Sequence, residues 1–197
     1  MQAHVLTACL TNAMLAGNHA HVVAALRFYV YGGVTFSDSN AAEAVGAIMA
    51  ALHARRQDAQ FFASACCALC SVPAPFPIVA ICEGVARHIK EPLVTASGLR
   101  LLATANVLEA LPKVVSTTAN AMSVHARDHN VQYYGARIII AANALDPEEI
   151  KTEYGSFGLD AVLMASLQAA WSSQVDMLRI GQDSWQDLIK RMHPRIR

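Results

Sequence analysis

The sequence predicts an all-α protein, a right-handed superhelical solenoid of about five stacked helical hairpins, on three observations. The first is a near-repeat: His53-Ala54-Arg55 precedes Gln60-Phe61-Phe62-Ala63, and 72 residues later His125-Ala126-Arg127 precedes Gln132-Tyr133-Tyr134-Gly135. Seventy-two is two units of about 36, inside the range of about 20 to 50 residues that marks stacked repeats. The second is an arginine register. Ala25-Leu26-Arg27-Phe28, Gly98-Leu99-Arg100-Leu101 and Gly135-Ala136-Arg137-Ile138 share a small-x-Arg-apolar pattern, and Met177-Leu178-Arg179-Ile180 follows it loosely. With Ala65 in the arginine's place in the second copy, the steps from 27 through 65, 100 and 137 to 179 are 38, 35, 37 and 42 residues. The third is helical periodicity, with no alternating strand pattern to compete with it.

Taken in order, the units fall at about 1–37, 38–74, 75–107, 108–145 and 146–192. Gly32-Gly33 closes the first, because a glycine pair ends a helix. Asn40 with Glu43 reads as a capping box, so the next helix is expected from Asn40 to about Arg55. Its stripe is Val45, Ile48, Met49 and Leu52. A second helix is expected from about Asp58 to Val72, stopped by Pro73-Ala74-Pro75-Phe76-Pro77. In the third unit Ile78, Ile81, Cys82, Val85 and Ile89 form one apolar face, and Pro92 suits the first position of the following helix. Asp146-Pro147-Glu148-Glu149 supplies an N-cap, a proline and an acidic first turn, which accounts for the long last step by a short extra helix near 147–154. One hairpin cannot bury its own stripe, so neighbours must stack and leave a concave and a convex face.

The formal charge is zero, which gives the whole chain no field toward nucleic acid or an anionic membrane. Charged residues make up 15% of the chain against about a quarter in ordinary soluble domains, and the mean hydropathy is +0.32. A surface that meets partners is expected. The charges are uneven: residues 1–54 hold only Arg27, Asp38 and Glu43, residues 55–145 hold thirteen, and residues 146–197 hold fourteen. The end repeats of a stack need polar outer faces, so the charge-free stretch from Met1 to Leu26 is expected to be covered by another chain. The uncharged stretch from Ala59 to Cys82 contains three prolines and crosses a unit boundary, which argues against a membrane span. No basic signal region or arginine-rich presequence is visible, and five cysteines in such a chain point to a reducing, cytoplasmic setting.

The unit of helix, His-Ala-Arg, short loop, Val131-Gln132, two variable residues, Gly135 and apolar helix resembles an armadillo repeat, with HEAT repeats the neighbouring type. The resemblance covers residues 1 to about 192 and is clearest in the fourth unit. It implies protein binding. Members that hold extended peptides place a tryptophan on the last helix of each repeat and an asparagine four residues later. Here the tryptophan column falls on Arg27, Ala65, Arg100, Arg137 and Arg179, and the asparagine column on Tyr31, Leu69, Thr104, Ala141 and Asp183. The asparagine ladder is absent, which argues against capture of a basic peptide.

Arg27, Arg100, Arg137 and Arg179 thus form a column where the resemblance places binding. A guanidinium fork suits a carboxylate, so one reading is a concave groove for an acidic peptide or acidic protein surface. The other is that each arginine pairs within the array or lies along a packed helix. Phe61-Phe62 and Tyr133-Tyr134 are adjacent pairs, so one of each is expected to leave the core stripe; these four and Tyr31 are candidate interface aromatics. The alternative is contact with the neighbouring repeat. Lys190, Arg191, Arg195 and Arg197 make the segment 190–197 a basic tail, either a docking element or a flexible end.

His53 and His125 are read as equivalent helix-end residues complementing the helix dipole, not metal ligands. Asp128 and His129 are read as solvated. Cys67-Ala68-Leu69-Cys70 lies inside an apolar helix, so the cysteines are read as buried structural thiols, and no zinc site, other metal or cofactor is expected. No nucleotide-binding, serine-hydrolase or zinc-protease motif occurs, and no catalytic residue is assigned. The expected function is a non-catalytic scaffold, a structural subunit of a larger protein assembly such as a cytoskeletal or ciliary one. A transient adaptor for an acidic peptide is the alternative, and an all-helical enzyme or enzyme accessory subunit is the third.

Overall fold

The computed structural model describes residues 3–17, 19–105 and 110–145, which form eight α-helices and no strand. The chain divides into two compact units, Met1–Asn106 and Val107–Arg197. The first unit holds α1 (Ala3–Leu15), α2 (His19–Tyr31), α3 (Asp38–Ala54), α4 (Ala59–Leu69), α5 (Ile78–Arg87) and α6 (Pro92–Leu102). Within it α1 packs on α2 and α3, α3 on α4, and α5 on α6, while α2, α4 and α6 form a row through the α2–α4 and α4–α6 contacts. The second unit holds α7 (Leu111–Val124) packed on α8 (His129–Leu145). The fifth repeat, the helix near 147–154, Arg179 and the basic tail lie outside the described residues.

Local chemistry sets most helix ends. Helix α2 stops before Gly32, and Gly33 takes φ of 57°, a left-handed conformation that glycine adopts at little cost. Pro92 opens α6 as expected, since the first helical N–H has no partner to lose. Asp58 Oδ1 accepts the Phe61 N–H at 2.9 Å, and Asp128 Oδ1 accepts the Val131 N–H at 2.9 Å. The Asn40–Glu43 capping box is not used. Ser37, in extended backbone, is the N-cap of α3 and Asp38 occupies its first turn, so both box residues lie inside the helix. An acid already in place at the positive end of the dipole lets the helix begin earlier.

Three hairpin turns share one hydrogen-bond scheme, and it corrects the register between them. In α3/α4 the bonds run Arg55 N–H to Ala51 O, Asp58 N–H to Arg55 O and Phe62 N–H to Asp58 O. In α5/α6 they run His88 to Gly84, Glu91 to His88 and Thr95 to Glu91, and in α7/α8 His125 to Ala121, Asp128 to His125 and Gln132 to Asp128. Asp58, Glu91 and Asp128 are therefore equivalent, and the second and fourth hairpins are offset by 70 residues, not 72. The two-residue slip turns each repeated side chain by about 200° on its helix. Cys67, not Ala65, takes the arginine's place. His53 corresponds to Ser123 and Arg55 to His125, so the histidines are not equivalent. His53 is exposed in the last turn of α3, and His125 is the C-cap of α7.

The same slip explains the aromatic pairs. Phe61 and Phe62, each 1% exposed, take the core positions of Val131 and Gln132; both being buried overturns the expectation that one faces outward. Helix α4 packs against α2, α3 and α6, so it has no single outward stripe. Space for Phe62 comes from two glycines. A Cβ on Gly84 would overlap the Phe62 ring, and one on Gly98 would lie 3.2 Å from it. The ring also meets His88 at a tilt of 41° with centroids 5.5 Å apart, and His88 Nε2 donates to Arg56 O at 3.1 Å. That contact ties the turn of one hairpin to the turn of the next. At the position of Phe62 the later hairpins use polar bonds: Thr95 Oγ1 donates to His88 O at 3.3 Å, and Gln132 Nε2 donates to Met122 O at 2.8 Å and His125 O at 2.9 Å.

Candidate protein-binding surface

Helix α2 departs from the ordinary packing of a surface helix. Val22, Ala25, Leu26 and Tyr29 form its buried stripe, at the i, i+3, i+4 and i+7 spacing of a core-facing helix. Tyr29 is fixed further by its hydroxyl, 2.8 Å from Thr7 Oγ1, and by stacking on Phe36 at 6.1 Å; burial raises its pKa. A helix with one core stripe carries polar residues on its other face. Here that other face is apolar too. Ala20, Val23, Ala24, Phe28 and Tyr31 line an open groove of about 510 Å³ along α2, and among the described residues Arg27 is the one charged residue that lines it.

Aligned on its buried stripe and on Arg27, α2 can be compared with the later second helices. Val22, Ala25, Leu26 and Tyr29 correspond to Phe62, Ala65, Cys66 and Leu69 in α4 and to Thr95, Gly98, Leu99 and Leu102 in α6, all buried. Two further positions seven residues apart are also buried in every later second helix: Phe61 and Ala68, Val94 and Leu101, Val131 and Ile138. In α2 these positions are His21 and Phe28, both exposed, with Phe28 at 52%. Ala68 and Leu101 are 0% exposed. Tyr31, at 84%, extends the open face.

Arg27, Arg100 and Arg137 occupy the same helix position and all three are exposed. The first two lie on α2 and α6 of one unit. Arg137 lies on α8 of the other, its guanidinium 6.0 Å over the Tyr133 ring. Tyr133 and Tyr134 are half-buried and meet edge to face at 5.1 Å, so they cover their own helix surface as much as they offer it. Of the five candidate aromatics, only Tyr31 stands fully open.

The thiols are less uniform than expected. Cys66 and Cys82 are buried, Cys67 and Cys70 half-buried, and Cys9 exposed; all are free. Burial pushes Cys66 well up and Cys70 up to about 11, the latter opposed by the charge of Arg100. A raised pKa withholds the thiolate that nucleophilic or metal chemistry needs. Among the described residues no group of three or more His, Cys, Asp or Glu could hold a metal ion, and no helix is long and apolar enough to cross a membrane. Asp128 is a helix cap rather than a solvated residue, and His129 Nε2 is buried without a hydrogen-bond partner. The roles of His88 in joining two turns and of Phe28 in the open face were missed in the sequence. The charge-poor run around Phe28, in which Arg27 is the one charge from Met1 to Ser37, was the available signal. No protein-family model, curated protein or solved structure matches the chain.

Proposed function

We propose that this protein is a non-catalytic helical-repeat scaffold of the armadillo or HEAT type that serves as a structural subunit of a larger protein assembly inside the cell, a cytoskeletal or ciliary one fitting its character. The observation that carries this reading is the apolar face of α2, open at Phe28 and Tyr31 in a stretch of 37 residues whose only charge is Arg27. Exposed apolar patches of this kind mark interaction sites. Recurrence of one turn geometry in three hairpins supports the repeat reading. Expressed alone, the chain is expected to self-associate as concentration rises, by light scattering after gel filtration, and to become a defined complex with proteins that co-purify from its source. A monomer soluble at high concentration overturns the assembly reading.

A second reading, a transient adaptor for an acidic segment, is favoured by the shared position and exposure of Arg27, Arg100 and Arg137. Within the first unit, the guanidinium groups of Arg27 on α2 and Arg100 on α6 suit carboxylates spaced along a peptide.

A further inference from the structure

We infer that the open face of α2 is a docking site for one α-helix of a partner protein, an amphipathic helix with an acidic residue set beside its apolar stripe to meet Arg27. The inference rests on the scaffold reading and specifies its first contact. Three observations carry it.

The groove has helical spacing. Ala20, Val23, Ala24, Arg27, Phe28 and Tyr31 fall at i, i+3, i+4, i+7, i+8 and i+11, the pattern that packs against another helix by ridges and grooves. An extended strand needs an unpaired sheet edge or a backbone-gripping ladder instead. Neither exists here among the described residues.

The register also requires a neighbour. The positions of His21 and Phe28 are closed over in α4, α6 and α8, and among the described helices α2 packs chiefly on α1 and α4. A helix laid along α2 would continue that row and bury Phe28 as Ala68 and Leu101 are buried.

Charge selects the occupant. Arg27 is exposed and has no acidic partner among the described residues. Covering a guanidinium with apolar surface is costly unless a carboxylate pairs with it. A second copy fits poorly, because two α2 helices packed by two-fold symmetry about the centre of the stripe bring their Arg27 side chains close together. The segment from Met1 to Ser37 contains no acid to separate them. A foreign helix with one Asp or Glu satisfies both the apolar stripe and the cation.

The test uses the full chain with benzoylphenylalanine at Ala24, cross-linked by light in its source cells and mapped by mass spectrometry. The expected product is a segment of another protein with apolar residues at i, i+3, i+4 and i+7 and an Asp or Glu on the flank. A synthetic peptide of that segment should bind the purified chain, and Arg27→Glu should weaken it by at least about tenfold, with binding regained when the peptide's acid is changed to Lys. The Arg27→Glu chain should keep wild-type helicity and melting, since the side chain is exposed. Cross-linking to a second copy, to another part of the same polypeptide, or to nothing overturns the proposal, as does a peptide indifferent to the charge of residue 27. A soluble monomer that still binds such a peptide removes the assembly reading and leaves the α2 site standing. A large complex that forms with no cross-link at Ala24 does the reverse.

Discussion

The Phe62 ring shows how one side chain dictates its surroundings. Gly84 on α5 and Gly98 on α6 leave room for it, and His88 packs tilted against it while bonding to Arg56 O. Gly84→Ala should therefore cost about 1–3 kcal/mol despite the better helix propensity of alanine, because the new methyl group collides with a ring held on several sides. Urea unfolding measures this, and a double-mutant cycle with Phe62→Leu should return much of the loss; equal costs in both backgrounds would place the strain elsewhere. Cys70 supplies a pH prediction at the same scale. Its folded pKa of about 11 lies above the usual 9.0, so the unfolded chain releases the proton first. The stability is complete below about pH 9 and falls as pH rises toward 11. Cys70→Ala should make that alkaline decline shallower, read as the urea midpoint against pH, and leave the part due to the buried Cys66 thiol.

At the scale of elements, the acids in the hairpin turns fix where the second helices begin. Asp58→Ala and Asp128→Ala should each cost about 1 kcal/mol through loss of the cap to Phe61 and Val131 N–H. Asn40→Ala should stay within about 0.5 kcal/mol, because Asn40 lies within α3 and caps nothing. Thermal melting of the three variants separates the cap seen in the structure from the box read in the sequence. The stops at Gly32-Gly33 and the start at Pro92 were legible because each acts through its own backbone. The stripes of α3 and α5 were legible for a similar reason, with Val45, Ile48 and Leu52 and then Ile81, Cys82 and Val85 buried as expected. The repeated words at 53 and 125 misled because identity of letters carries no information about which turn of the helix they occupy.

At the scale of the whole molecule, the distribution of charge decides which readings survive. A zero net charge provides no steering field, yet exposed arginines recur at one position on α2, α6 and α8. If the adaptor reading holds, Arg100→Glu with Arg137→Glu should abolish binding of a co-purified acidic partner while circular dichroism and melting stay unchanged. Unchanged binding would reduce these arginines to solvated residues on packed helices. The same low charge makes α2 conspicuous: an apolar helix open to water is destabilising to the isolated surface and stabilising once covered.

By itself the sequence determined that the chain is helical, where several hairpins turn, and which stripes enter the core. Those features depend on backbone chemistry and periodicity within a few residues. Only the tertiary structure decided the register of 70, the burial of both Phe61 and Phe62, and the exposure of Phe28 where Ala68 and Leu101 are closed. Each of these depends on which helices lie alongside, and a side chain's burial is a property of its neighbours as much as of its own position in the chain.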